Sequence, residues 1–442
     1  MKFSLGKPKP HKMLMTSVDY AEIVSFFYFY NLLVVKIDDF CKHKEEKNML
    51  TSIALILLSG LLLGSIFQKW KLPSLLGMIL VGILLGPHAF HVIDQSILNI
   101  SADLRQIALV IILTRAGLSL DLSDLKRVGR PAVLMCFVPA CVEITGTVLL
   151  APLLLGVTHW EAAIIGSVIA AVSPAVVVPR MLHLMECGYG TDKSIPQLLI
   201  AGASVDDVFV IVLFTAFTSL ASTGKLSALQ FLQIPLSIIS GVAVGTVVGM
   251  ALVLFFQKFH MRDSVKLLII LSFSFLLLEL QNQLEHIIPI SELLAIMSLG
   301  IVVKQKYDVL ARRLSIKYNK LWVGAEVFLF VLVGAAVDLK YAVSAGICAV
   351  LLIICALIFR MLGAALALVK TNLNRKERLF CMLAYTPKAT VQAAIGTIPL
   401  TMGLPCGHMV LTVAVLSILI TAPFGALCID NLHSKLLQKK NT

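Results

Sequence analysis

I-P-Q-L-L-I-A-G-A-S-V-D-D-V-F-V-I-V-L-F-T-A-F-T-S-L, residues Ile195–Leu220, is long and apolar enough to cross a bilayer, yet it carries Asp206 and Asp207 side by side near its middle. One ionised carboxylate at that depth costs about 2.5–3.5 kcal/mol on the insertion scale. A pair there is either neutralised by a basic neighbour or serves as a seat for which a cation and a proton compete. The second reading explains why two acids are kept. It sets the question asked of the rest of the chain.

The 442 residues are 58% hydrophobic and 14% charged, with a mean hydropathy of +0.93. Long apolar runs, without ten-residue alternating segments, specify an all-α polytopic membrane protein rather than a barrel. Nine cysteines are scattered without a C-x-x-C pair and read as small core residues. Ten histidines form no H-E-x-x-H, and no nucleophile-with-base spacing appears. An enzyme, a cofactor and a resident metal are therefore not expected.

From residue 50 onward the chain has thirteen apolar spans: 50–67, 74–90, 103–120, 131–156, 160–184, 195–220, 229–256, 264–281, 287–304, 321–340, 341–369, 378–402 and 407–430. Residues 1–49 form an N-terminal extension, and its apolar run at 23–35 fits a fourteenth helix or an interfacial one. It lacks the flanks of a signal peptide. Twenty-three lysines and arginines follow odd-numbered spans and three follow even-numbered ones. By the positive-inside rule the tail, 431–442, is cytoplasmic. The net charge of +12 is thus a topology signal with some attraction to anionic lipid, and nucleic acid is not expected. The basic 304–320 connection reads as a cytoplasmic loop.

Two repeats emerge, about 50–220 and 264–430, linked by the span at 229–256. An odd number of intervening spans makes the second repeat inverted. The fifth member of each carries a breaker at depth: A-V-S-P-A-V-V-V-P (Ala171–Pro179) and Y-T-P-K-A-T-V-Q-A-A-I-G-T-I-P (Tyr385–Pro399). Proline removes an amide donor and frees backbone oxygens, so Pro174 and Pro387 mark interruptions tolerated where they line a cavity. Matched interruptions point to the substrate site of a secondary transporter. Glycines at 60 and 64, and at 241, 245 and 249, offer faces for close helix packing within one chain.

Six ionisable residues lie well inside spans: Arg115, Glu143, Asp206, Asp207, Arg360 and Lys388. Three are basic and three acidic, so the set can neutralise itself. Glu326 lies near a span start and reads as facing the interface. Hard alkali cations favour oxygen ligands, and Na+ or Li+ is expected at Asp206 and Asp207 with the Ser173 hydroxyl and carbonyls around Ala171 and Val172. Desolvation disfavours a bare carboxylate, which makes proton and cation alternatives for one place. Arginine cannot shed its charge, so Arg360 reads as a fixed partner for Glu143, while Lys388 either neutralises a helix-end dipole or titrates.

At these residues the chain resembles the NHA-type sodium/proton antiporters, the sodium/hydrogen exchanger subfamily B of the cation:proton antiporter superfamily. The resemblance runs from about 50 to 430. It includes G-I-L-L-G-P (Gly82–Pro87), A-D-L-R-Q-I-A-L (Ala102–Leu109), R-A-G-L (Arg115–Leu118), S-V-D-D (Ser204–Asp207), P-K-A-T-V-Q-A-A-I-G (Pro387–Gly396) and L-S-I-L-I-T-A-P (Leu416–Pro423), besides the first broken segment. It implies a homodimer in lipid, in the cell membrane, whose core with two crossed broken helices moves as an elevator. It implies that Asp207 is the main ion and proton carrier, with Asp206 its partner. Electrogenic relatives place a lysine where this chain has Arg360, so electroneutral exchange of Na+ (or Li+) for H+ is expected. A K+/H+ antiporter is the nearest rival and a cation channel the rival of a different class.

Overall fold

A computed structural model describes residues 48–70, 72–120, 129–223, 228–284 and 290–439. The chain divides into two compact units, residues 1–52 and 53–442. The expected extension, apart from its last two residues, lies outside the described residues. Among those described, seventeen helices follow one another. They are α1 (Met49–Lys69), α2 (Ser74–Leu85), α3 (Gln95–Asn99), α4 (Ser101–Ser119), α5 (Arg130–Leu155), α6 (His159–Ala170), α7 (Pro174–Glu186), α8 (Ile195–Thr223) and α9 (Ala228–Lys258). Next come α10 (Asp263–Leu284), α11 (Glu292–Lys306), α12 (Asp308–Ala335), α13 (Leu339–Ala367), α14 (Arg375–Ala384), α15 (Thr390–Ile395), α16 (Ile398–Thr401) and α17 (Gly407–Leu436). No strand occurs among the described residues, only an isolated bridge between Tyr189 and Lys439.

Each of the thirteen expected spans overlaps a helix or, at the two breaks, a helix divided into shorter pieces. Among the described residues, eight segments are long and apolar enough to cross a membrane on their own, with the broken α6–α7 counted as one of them. The two breaks fall where the prolines place them. α6 opens with a capping box between Thr158 and Glu161 and stops at Ala171, whose backbone is extended. Ser173, ahead of Pro174, is extended too, and Pro174 starts α7 at a position that needs no amide donor. In the second half, Asn374 and Glu377 make the corresponding capping box for α14, which ends at Tyr385 two residues before Pro387.

Three expectations are corrected. The basic 304–320 stretch is not a loop: α11 and α12 are separated by Tyr307 alone. Buried Leu310, Ala311, Leu314, Tyr318 and Trp322 recur at helical spacing, and Asp308 pairs with Lys304 at 2.5 Å and Arg312 at 2.8 Å, four residues either side. The span expected at 74–90 ends at Leu85, where Gly86 and Pro87 stop the helix, and the short α3 follows. The tail expected from 431 instead continues α17 to Leu436. Leu437 is buried beyond it, and Gly190 N–H donates to the Gln438 carbonyl at 2.8 Å. The helix and the docked extended segment after it satisfy backbone groups that a free tail would leave to water.

α13 packs along α5, α9 along α11, and α12 against α2 and α4. Gly241 and Gly245 lie against the Ser291 and Ala295 backbone, so that small-residue face works within one chain. The α5–α13 pair is equally close. A Cβ on Gly363 would stand 2.6 Å from Pro139 Cα, and one on Gly146 would stand 2.3 Å from the Phe359 ring. Backbone this near has no means of giving way. Gly363→Val is expected to cost about 1–3 kcal/mol and to lower the melting midpoint in detergent. Gly324→Ala, where a Cβ meets nothing within 4 Å, is expected to leave it unchanged or raise it.

Candidate functional site

The two breaks meet. Ser173 N–H donates to the Pro387 carbonyl at 2.7 Å, joining the gap between α6 and α7 to the gap between α14 and α15. A Cβ on Gly425 would stand 2.3 Å from Pro387 Cγ, and Thr421 Oγ1 accepts from Lys388 N–H at 2.9 Å. α17 is therefore the backing of the second break. α5, α8 and α13 bring the charged side chains from the other directions.

Arg360 on α13 occupies the centre, fully buried. Its Nε donates to the Tyr385 carbonyl at 2.7 Å, its Nη1 to Glu143 Oε2 at 3.1 Å and to the Ala170 carbonyl, and its Nη2 to Asp206 Oδ2 at 2.9 Å. One planar guanidinium thus satisfies the last carbonyl of α6, a carbonyl freed after α14, and two carboxylates. The Tyr385 ring lies beneath it, 4.8 Å from centroid to Cζ. Asp206 Oδ2 also accepts from Val172 N–H at 2.7 Å. Lys388 Nζ reaches both oxygens of Glu143, at 2.6 and 2.7 Å. The carboxylate expected for Arg360 alone is shared, and the Lys388 ammonium is engaged by an acid rather than left to a helix dipole.

The fixed charges therefore close on themselves: Glu143 and Asp206 against Arg360 and Lys388, all buried. Asp207 stands outside this balance. Its Oδ1, with Asp206 Oδ1 and Ser173 Oγ, is buried without a hydrogen-bond partner. Three oxygens facing no donor are what a small cation or a proton requires. The Ala171 carbonyl, expected as a free ligand, accepts from Gln392 Nε2 at 2.8 Å. Among the described residues no group of three or more His, Cys, Asp and Glu is placed to hold a metal ion.

Arg115 is not part of this cluster. Its charged neighbour is Glu326 on α12, and because that helix begins at Asp308, Glu326 lies well inside it instead of at its entrance. Glu326 lines a cavity of about 590 Å³ with Ala175, Arg180, His183, Asp430 and His433, adjoining the start of α7. Arg180 and Asp430 pair there at 3.1 Å, part-exposed. Arg105, one of the three basic residues counted after even-numbered spans with Lys225 and Lys340, is buried in α4 and donates to the Leu332 carbonyl at 3.5 Å. Tyr385, Gln392 and Thr421 were missed because their roles are backbone contacts across the chain. Only their lying inside the quoted motifs hinted at them.

The sequence profile described as the transmembrane domain of sodium/hydrogen exchangers matches residues 53–430. The chain belongs to the sodium/hydrogen exchanger family. Sodium/hydrogen exchanger 9B2 of Homo sapiens is 37% identical over 401 residues, covering 87% of this chain and 73% of that one. Sodium/hydrogen exchanger 9B1 of Homo sapiens is 32% identical over 410 residues, covering 88% and 78%. The sodium proton antiporter MjNhaP1 from Methanocaldococcus jannaschii superposes with a TM-score of 0.77 at 21% identity, covering 88% of this chain and 98% of that one. That likeness is one of fold. The protein is an integral membrane transporter of the cation/proton exchange class, not an enzyme.

In this exchanger, breaking the buried network should cost far more than breaking an exposed pair. Glu143→Ala would leave Lys388 and one arm of Arg360 uncompensated, at about 3–5 kcal/mol. Asp430→Asn opens an ion pair that solvent already reaches, at most about 1 kcal/mol. Melting in detergent should therefore separate the two variants clearly.

Proposed function

We propose that this exchanger moves Na+ or Li+ against H+ one for one, with Asp207 holding the cation and the proton in turn. The observation that carries the reading is the charge balance at the crossing. Glu143, Asp206, Arg360 and Lys388 sum to zero and are mutually bonded, leaving Asp207 as the odd acid with an unpartnered oxygen. Either a proton or a monovalent cation brings the whole core to neutrality, and both cannot be held together. An occupied core then crosses without net charge, whichever it carries. The membrane potential, worth about 2.3 kcal/mol per charge per 100 mV, does no work on such a carrier.

Ser173 and Asp206 complete the shell from the first break and the same helix. Arg360 is a fixed post, since a guanidinium bonded to two carboxylates and two carbonyls does not lose its proton. The exchanger works by alternating access, with the repeats 50–220 and 264–430 joined through α9. It sits as a homodimer in the cell membrane with its C-terminus cytoplasmic, following the basic-residue asymmetry. The hard-oxygen character of the seat favours Na+ or Li+ over K+.

Reconstituted Asp207→Asn is expected to fold and to lose cation-driven proton movement entirely; exchange retained in that variant would place the carrier elsewhere. In the native protein, Na+ and H+ compete for one acid. Below the pH at which Asp207 titrates, each unit of acidification should raise the KM for Na+ up to about tenfold while the rate at saturating Na+ holds. An imposed potential should leave the native rate unchanged. Arg360→Lys, whose ammonium can release its proton, should make the rate respond to potential.

A further inference from the structure

Gln392 is a fully buried amide at the third position of α15. Its Oε1 accepts from the Ala389 N–H at 2.7 Å, and its Nε2 donates to the Ala171 carbonyl at 2.8 Å. The partners dictate which end is which: Ala389 offers only a proton and Ala171 only lone pairs. One side chain therefore caps the second half of one broken helix and holds the first break of the other. Alanine at 389 has no side-chain acceptor of its own, so this amide supplies half of a capping box.

The two consecutive peptide groups beside the seat, Ala171–Val172 and Val172–Ser173, are pinned at three points. The Ala171 carbonyl is held by Gln392 on α15, the Val172 N–H by Asp206 on α8, and the Ser173 N–H by the Pro387 carbonyl. Two of these anchors belong to the charged cluster or to the meeting of the breaks. Gln392 is the side chain among them that belongs to neither the charge balance nor the cation shell. Loss of its donor leaves the Ala171–Val172 peptide held on its N–H side alone, by Asp206, and so loosens the backbone that carries the Ser173 hydroxyl.

We infer that Gln392 is a positioning residue that sets the size of the cation seat, holding the Ala171–Ser173 segment at a fixed distance from the two aspartates. This rests on the Asp207 reading above. It predicts that Gln392 governs which alkali cation is preferred without taking part in the charge balance. A residue that only supports folding would not touch cation preference.

The test compares native protein, Gln392→Met, Gln392→Glu and Asp207→Asn in proteoliposomes against Li+, Na+ and K+. Met keeps the length and removes both bonds; Glu keeps an acceptor for Ala389. Both should raise the KM for Na+ about tenfold with the maximal rate within about twofold, and both should flatten the order among the three cations. The rise in melting midpoint that Na+ produces should shrink in parallel, which reads binding without transport. A common loss of rate and melting midpoint, with KM and cation order unchanged, would overturn the inference. Should Met fail to fold, the Glu variant and the Na+-dependent melting decide by the same criteria. Exchange surviving in Asp207→Asn would remove the seat reading and this inference together, whereas a silent Asp207→Asn beside native-like Gln392 variants would remove this inference alone.

Discussion

The grip of Arg360 is the constraint on which the site depends. Interrupting two helices inside a membrane protein frees carbonyls that neither water nor lipid can satisfy at that depth. Arg360 meets one from each break, those of Ala170 and Tyr385, with the same planar group that binds Glu143 and Asp206. A lysine has no such fork and would leave at least one of these oxygens bare. The irregular backbone is thus admissible because an ion that never discharges sits where the chain is broken.

Fixing four charges has a consequence for the fifth. Glu143 is saturated by Lys388 and Arg360, and Asp206 commits one oxygen to Arg360 and Val172, which leaves only its other oxygen without a partner. Asp207, one residue along α8, points about 100° away from Asp206 and escapes the network. Proximity in sequence with divergence in direction is what puts one acid inside the network and leaves the other outside it. Ion pairs at the edge of the molecule, Arg180 with Asp430 among them, lie in the adjoining cavity, where solvent weakens them.

The legible part of this architecture was what depends on local pattern. Thirteen apolar spans, two prolines at matching depth and the intramembrane charges follow from the bilayer's demand for apolar length and from proline's missing donor. The paired aspartates were recognisable for the same reason. Even the corrected basic stretch was readable in principle, since Leu310, Leu314, Tyr318 and Trp322 keep a helical period that its charge obscured. Counting lysines and arginines by connection hid both that helix and the burial of Arg105.

Pairing was decided only in three dimensions. Nothing in the order of residues says that Lys388 goes to Glu143, that Arg115 lies near Glu326 instead of joining the cluster, or that Gln392 closes on Ala171 across more than two hundred positions. Those choices are made when α5, α8, α13 and α17 converge on the two breaks, because a hydrogen bond exists or fails on tenths of an ångström. Sequence alone therefore determined which charges must be neutralised within the membrane. The tertiary fold decided which of them neutralise one another, and so which acid is left outside the network.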